Sequence, residues 1–283
     1  MEGGSKFIKV EIVKIDVKTR KFEKTEDFVA EEKPLQVFVN RRHYATIFCT
    51  LQDIKELAVG NLLSEGVIKT VEEIDKINIK ENNVCYIALK PTVNIESRLK
   101  LARQLYRVIP SACSGQNQPL ALRRVKKVAS KMRVKAETIQ NCIQNLNAMS
   151  ETYRKTHGVH VAAIYDGNGA LVAFAEDVGR HNAVDKVIGK CALKGENFSE
   201  RLLALSGRLT TDIVLKAAMV GIPIVASIAA ALDSGIEIAR KANLTLVGFI
   251  RGGNMKVYNA PERIIPSNVP VQSTTNGFRP FCL

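Results

Sequence analysis

The run Leu171-Val172-Ala173-Phe174-Ala175-Glu176-Asp177-Val178-Gly179-Arg180-His181-Asn182-Ala183-Val184-Asp185-Lys186 decides the fold. Its first five residues are apolar and short, in the manner of a buried strand, whereas Val184, Val187, Ile188 and Cys191 recur at the helical spacing i, i+3, i+4, i+7. Between the two, Glu176 to Lys186 crowd seven polar or ionisable side chains into eleven residues. Asn182 is the expected N-cap of the helix. A strand handed to a helix through such a loop is one unit of an open α/β sheet. In these sheets ligands bind beyond the carboxyl ends of the strands, where free helix N–H groups attract anions.

The same grammar repeats on both sides. Val159–Tyr165 and Ala170–Ala175 read as a hairpin around Asp166-Gly167-Asn168-Gly169. Leu202–Leu205 is a strand that leads through Ser206-Gly207-Arg208-Leu209-Thr210-Thr211 into a helix stopping at Gly221. Ile222–Ile228 is a strand, Asp233–Lys241 a helix, and Leu244–Ile250 a strand ending in Arg251-Gly252-Gly253. The alternation predicts a mainly parallel sheet with helices on its faces. The first third reads as antiparallel α+β, with alternating strands at Ile8, Val10, Ile12 and at Leu35, Val37, Val39, and a further strand at Val84–Leu89. One helix stands among them, opened by Thr50-Leu51-Gln52-Asp53 as an approximate capping box, carried by Ile54, Leu57, Ala58 and Leu62, and stopped at Gly66. The expected organisation is an N-terminal α+β domain over 1–108, a basic loop and helical connection over 109–158, a C-terminal α/β ligand-binding domain over 159–262 and a tail over 263–283.

Composition narrows the function. A chain of 283 residues, 46% of them hydrophobic, can bury enough core for two domains. No apolar run approaches the roughly 20 residues that span a bilayer. The start, Met1 to Lys6, lacks the apolar core of a signal peptide. The expectation is a cytoplasmic protein without a membrane partner. The six cysteines show no C-x-x-C spacing, which argues against a disulfide framework and against a structural zinc site. The formal charge is +13, and the segment from Arg98 to Lys135 holds eleven Lys or Arg and no Asp or Glu. Such a patch attracts polyanions or anionic cofactors. Nucleic acid is disfavoured by the absence of a zinc-finger, RNP-type or arginine-rich repeat motif and by a total of only sixteen aromatics for stacking.

Two constellations carry chemistry. In a parallel sheet the polar loops 177–182, 206–211 and 251–254 emerge at one edge, so Arg180, His181, Arg208, Lys216 and Arg251 are placed to converge on a phosphate-bearing ligand. The plainer alternative is that these residues cap helices and meet solvent. Cys113 lies in Pro110-Ser111-Ala112-Cys113-Ser114-Gly115-Gln116-Asn117-Gln118-Pro119, a loop inside the acid-free basic segment. Neighbouring cations favour the reactive thiolate, although a lone cysteine is ordinarily structural. His157 and His160 have the spacing of a helical metal pair, but Gly158 and the β-branched Val159 and Val161 indicate a turn into a strand, so no metal site is expected.

The segment Glu176 through Gly189 resembles the signature of the formate dehydrogenase accessory sulfurtransferase family (FdhD). In order along the chain, Glu32-Lys33-Pro34-Leu35 with Val39-Asn40, Leu57 to Gly66, Ser206-Gly207-Arg208 through Lys216-Ala217-Ala218 to Gly221-Ile222-Pro223, and Leu246 to Gly253 with Val257-Tyr258 agree with it. The resemblance spans Glu31 to Arg263. It implies a dimeric cytosolic protein with a C-terminal domain of cytidine-deaminase-like fold. It further implies binding of a molybdenum (or tungsten) cofactor carrying two pterin guanine dinucleotides, possible binding of GDP- or GMP-type ligands, and sulfur received from a cysteine desulfurase and passed on for formate dehydrogenase. By similarity Cys113 carries the persulfide, and Phe249, Ile250, Arg251, Gly252, Gly253 and Asn254 touch the cofactor, beside the phosphate or pterin contacts read for Arg180, His181 and Arg208. The chain departs from the family at two places. The family loop commonly reads C-G-x-C-G, and here Cys113-Ser114-Gly115-Gln116-Asn117 keeps only the first cysteine; Ala229-Ala230-Ala231-Leu232 stands where a Ser-Pro-Thr stretch is common. The missing second thiol favours the alternative of a chaperone that binds the cofactor or a guanine nucleotide without sulfur transfer.

Overall fold

The structure, a computed structural model, describes residues 6–81, 83–96, 98, 125 and 127–266. An antiparallel ribbon of β1 (Phe7–Asp16) and β2 (Lys21–Ala30) comes first. Next are β3 (Lys33–Val39), β4 (Arg42–Cys49), helix α1 (Ile54–Ser64), β5 (Ile74–Lys80) and β6 (Val84–Leu89). The last four strands form a sheet in the order β4-β3-β6-β5; the antiparallel expectation holds for β4–β3 and β6–β5 and is corrected at β3–β6, which is parallel because the chain between them crosses over through α1.

The second half begins with β7 (Val134–Lys135), α2 (Ala136–Gln144) and α3 (Glu151–Thr156). It continues through β8 (His160–Tyr165), β9 (Leu171–Asp177), α4 (Arg180–Leu193), β10 (Leu202–Leu205), α5 (Thr211–Val220), β11 (Ile224–Ser227), α6 (Asp233–Ala242), β12 (Thr245–Arg251), β13 (Asn254–Asn259) and β14 (Ile264–Ile265). Six of these strands make one sheet in the order β13-β12-β11-β10-β8-β9. The expectation of a mainly parallel sheet is corrected: only the β10–β11 and β11–β12 pairs are parallel, and the β10–β8, β8–β9 and β12–β13 pairs are antiparallel. The turns explain this. Asp166 Oδ1 accepts from the N–H groups of Asn168 and Ala170, both at 2.8 Å, and closes the β8–β9 hairpin. Gly252 and Gly253, at φ 57° and 78°, close β12–β13. A parallel pair needs a crossover of a dozen or more residues, which neither turn supplies.

Both faces of this sheet are covered, so its strands read as continuous apolar runs. Ala162, Ile164, Leu203, Leu205, Val225 and Leu246 point into a core shared with α1, α4, α5, α6 and with Leu35, Val37 and Ile87 of the first sheet. Val161, Ala163, Leu202, Ala204, Ala226 and Val247 point the other way, against Ile139, Ile143 and Leu146 of the α2 segment. Helix α1 is therefore packed between the two sheets and meets α4 backbone to backbone: a Cβ built on Gly60 would lie 1.8 Å from the carbonyl oxygen of Asp185, and one on Gly189 would lie 2.0 Å from that of Glu56. The segment read as a tail from 263 is held as far as Ile265, where β14 pairs with β7. Residues 267–283 lie outside the described residues. Among the described residues no helix is long and apolar enough to cross a membrane.

Candidate functional site

Strand β9 is antiparallel to β8 and β8 to β10, so β9 runs with β10, β11 and β12. The carboxyl ends of all four strands reach one edge of the sheet, as the expected convergence of loops requires. At that edge α4 begins at Arg180 with Gly179 as its N-cap, three residues before the expected cap Asn182. Asn182 is used differently: its Nδ2 donates to Asp177 Oδ1 at 2.9 Å and to the carbonyl of Phe48 at 2.8 Å. Helix α5 starts at Thr211, and neither Gly179 nor Thr210 supplies a side-chain cap. Two helix amino ends, each carrying partial positive charge, are thus left without a side-chain cap at this edge.

Four cationic or imidazole side chains gather there. Gly207 lies so close to Arg180 that a Cβ on it would stand 3.0 Å from the Arg180 Cβ. His160, at the start of β8, faces Ser206 through Nδ1 and Oγ at 3.3 Å. Burial and then the Arg208 charge pull the Arg180 guanidinium below its ordinary range, with Asp212 opposing. Burial and then Arg180 lower His160, opposed by Asp177 and reinforced by Arg208. His181 is pushed down to about 3 by burial, followed by the charges of Arg180, Lys216 and His160. Arg180 Nε, His181 Nε2, Thr210 Oγ1 and Thr211 Oγ1 are buried atoms without a hydrogen-bond partner. Among the described residues neither Arg180 nor Arg208 makes an ion pair. Like charges held together in a partly dry site with unanswered donors make a place for an anion.

A cleft of about 440 Å³ opens beside this cluster, between Thr46, Ile47 and Phe48 of β4, Asn61 and Glu65 at α1, His181 and Asn182 at the start of α4, and Asp212 and Lys216 of α5. A hollow of about 420 Å³ along β5 is lined by Ile74 to Ile79, Lys55 and Leu193 and lies away from these loops. The charge of His181 carries a stability consequence. Unfolded, its imidazole takes a proton near the ordinary 6.5; folded, it does so only near about 3. The unfolded state therefore binds more protons between those values, and stability falls as pH drops through that window. Melting temperatures measured from neutral to acid pH are expected to show this slope, and His181→Asn is expected to flatten it.

A model of the FdhD/NarQ family matches residues 30–265. The chain belongs to this family. It is 37% identical over 241 residues to the sulfur carrier protein FdhD of Sulfolobus acidocaldarius, covering 85% of this chain and 92% of that one. It is 35% identical over 246 residues to the protein of the same name from Bacillus subtilis, again covering 85% and 92%. A crystal structure described as a formate dehydrogenase accessory protein from Desulfotalea psychrophila superposes with a TM-score of 0.76 at 28% identity, covering 92% of this chain and all of that one.

Within this family member the sequence-predicted residues separate into groups. Arg180, His181 and Arg208 come together, as above. Lys216, expected at the ligand, lines the same cleft as His181 but is buried and already paired: its Nζ meets Glu65 Oε1 at 2.7 Å, Asp185 Oδ2 at 3.0 Å and Ser64 Oγ at 3.0 Å. Burial is outweighed by those carboxylates, and the lysine is held above its ordinary range. Much of the signature is likewise structural. Asp177 and Lys186 form a fully buried pair at 2.7 Å that also binds the backbone of Thr50, and Asp185 accepts from Asn61 and Ser64. The 249–254 stretch turns into the β12–β13 hairpin. Phe249 sits at φ 52°, with Arg251 at 5.3 Å and Lys256 at 4.7 Å over its ring, and Ile250 turns its side chain into the second core. Hydrogen bonds from Phe249 N–H to Ala229 and from Leu209 N–H to Ala230 stitch this hairpin's base to the Arg208 loop.

Cys113 and Gln116 lie outside the described residues. The four described cysteines are buried, and burial pushes their thiols up, Cys49 and Cys191 to about 12 and Cys85 and Cys142 to about 11. They are poor nucleophiles. Sequence reasoning missed His160, Ser206 and Asp212 as members of the site. A signal for His160 existed, because counting back along the hairpin from its turn sets His160 opposite Asp177.

Proposed function

We propose that this chain is a sulfur carrier for formate dehydrogenase maturation. It takes sulfur from a cysteine desulfurase as a persulfide on Cys113 and passes it to the molybdenum or tungsten ion of a bis(pterin guanine dinucleotide) cofactor bound as cargo. The observation that carries the reading is the juxtaposition of Arg180 and Arg208, with His160, His181 and two helix amino ends that lack side-chain caps, in a chain whose relatives are named sulfur carriers. Guanidinium forks and helix N–H groups suit the dinucleotide phosphates, and the 249–254 hairpin, with its exposed Arg251, is a second contact for the same cargo. In the first step the Cys113 thiolate attacks the outer sulfur of the donor persulfide. The donor S–S bond breaks, the donor cysteine leaves as a thiolate, and Cys113 retains the sulfane sulfur. The four described cysteines are buried with raised pKa, which makes them poor carriers; Cys113 and Cys282 lie outside the described residues, and the basic loop favours Cys113. The reading further takes the protein to be a cytoplasmic homodimer whose C-terminal half is of the cytidine-deaminase-like type.

Incubation with a cysteine desulfurase and cysteine, followed by peptide mass spectrometry, tests this. One added sulfur on Cys113, absent from Cys113→Ala, is the expected result, and the variant is expected to lose formate dehydrogenase maturation. Gln116, standing where the family commonly has its second cysteine, favours a second reading in which the chain binds the cofactor or a guanine nucleotide without sulfur chemistry. An active desulfurase that leaves Cys113 unmodified would select it.

A further inference from the structure

We propose that occupation of this site by a dianion is coupled to proton uptake by the protein: His181 Nε2 takes a proton from solvent, keeps it, and hydrogen-bonds through it to the Asp212 Oδ2 carboxylate as the anion settles between Arg180 and Arg208. The proposal rests on the anion-binding reading of the same site and adds its proton linkage.

The geometry leaves the pair one proton short of a charge-assisted hydrogen bond. His181 Nε2 is buried without a hydrogen-bond partner, yet Asp212 Oδ2 lies only 3.7 Å away. Burial first, and then the groups facing the imidazole, account for the missing proton. On its own helix Arg180 opposes a charge, and from β8 His160 does the same. From α5 come Lys216, whose charge is matched by Glu65 of the α1 end and Asp185 of α4, and Asp212 itself. Strand β4 brings Thr46, Ile47 and Phe48 to the cleft, none of them titratable. Burial raises Asp212, with Lys216 and Arg180 opposing, and its carboxylate is the acceptor that the missing imidazole proton would serve. A dianion beside Arg180 and Arg208 offsets the Arg180 charge that opposes the imidazolium, and the closed His181–Asp212 pair is then favoured. Proton uptake and anion binding are linked in both directions.

Inorganic sulfate is a suitable probe because it stays a dianion across the range of interest. The chain has four histidines, so ring signals in the full-length protein with labelled histidine can be followed individually by NMR. In the free protein the His181 ring is expected to stay neutral from about pH 8 to about pH 5, and in the sulfate-saturated protein to titrate near the ordinary value of about 6.5. The sulfate dissociation constant is then expected to fall by up to about tenfold per pH unit below that point. Asp212→Asn should retain sulfate binding and lose most of this pH dependence, and His181→Asn should lose it entirely. Sulfate binding whose affinity does not change with pH, or whose proton appears on His160, overturns the coupling and leaves the anion site standing. Failure of sulfate to bind the wild-type protein or to shift any ring at this edge overturns both.

Discussion

Alanine at Gly60 or at Gly189 is expected to cost at least about 3 kcal/mol of stability, a large share of the total for a marginally stable fold. The two glycines let α1 and α4 touch through their backbones. A methyl group on Gly60 would stand 1.8 Å from the Asp185 carbonyl oxygen, and one on Gly189 2.0 Å from the Glu56 carbonyl oxygen. Neither obstacle can rotate away, so the helices themselves would have to separate. Separation would pull Asp185 from Asn61 and Ser64, and Lys190 from Asp53, which it meets at 2.7 Å. Urea melts followed by circular dichroism measure the loss. Gly195→Ala is the control, because a Cβ there meets nothing within 4 Å and only the positive φ of 72° is penalised, at about 1 kcal/mol. Losses at Gly60 and Gly189 no larger than the control's would mean that the helix contact contributes little.

Much of this architecture is legible in the sequence because period and turn chemistry are local. The change from an apolar run at 171–175 to a 3.6-residue period after 182 places β9 and α4 to within three residues, and the Asp166–Gly169 turn fixes the hairpin that aims β9 with β10. The same locality explains what was missed. Glu176, Asp177, Asp185 and Lys186 look like a reactive cluster because their partners are out of view: Asn61 is 124 residues from Asp185, and Thr50 is 136 from Lys186. No periodicity encodes a partner at that distance. The ion pairs of Lys216 were out of view for the same reason, its partners Ser64 and Glu65 lying 152 and 151 residues back. Strand β2, Lys-Phe-Glu-Lys-Thr-Glu-Asp-Phe-Val-Ala, went unread because it pairs only with β1 and most of its side chains face solvent, so no buried face imposes alternation. The case for Cys113 rests on charge and loop composition, outside the described residues.

Lys186→Met is expected to destabilise the protein by about 3–5 kcal/mol, the range for breaking a buried ion pair from one side. Lys186 and Asp177 are both 0% exposed, and the ammonium also donates to the carbonyls of Thr50 at 2.8 Å and Glu176 at 3.2 Å. Methionine fills the volume but leaves a buried carboxylate facing apolar carbon. The companion change Asp177→Leu is expected to be at least as damaging, because that carboxylate satisfies the N–H groups of Thr50 at 3.1 Å and Gly179 at 2.8 Å and the Asn182 amide at 2.9 Å. Combining the two removes the lone charge, so the double variant should lose less than the sum of the singles. It should nevertheless remain well below wild type, since the Thr50 and Gly179 N–H groups are still orphaned. Full recovery in the double variant would reduce the pair to an isolated ion pair. Incomplete recovery, together with weakened sulfate binding, would identify it as the junction that fixes Gly179, and with it the start of α4, against β4, which sets where Arg180 and His181 meet the ligand.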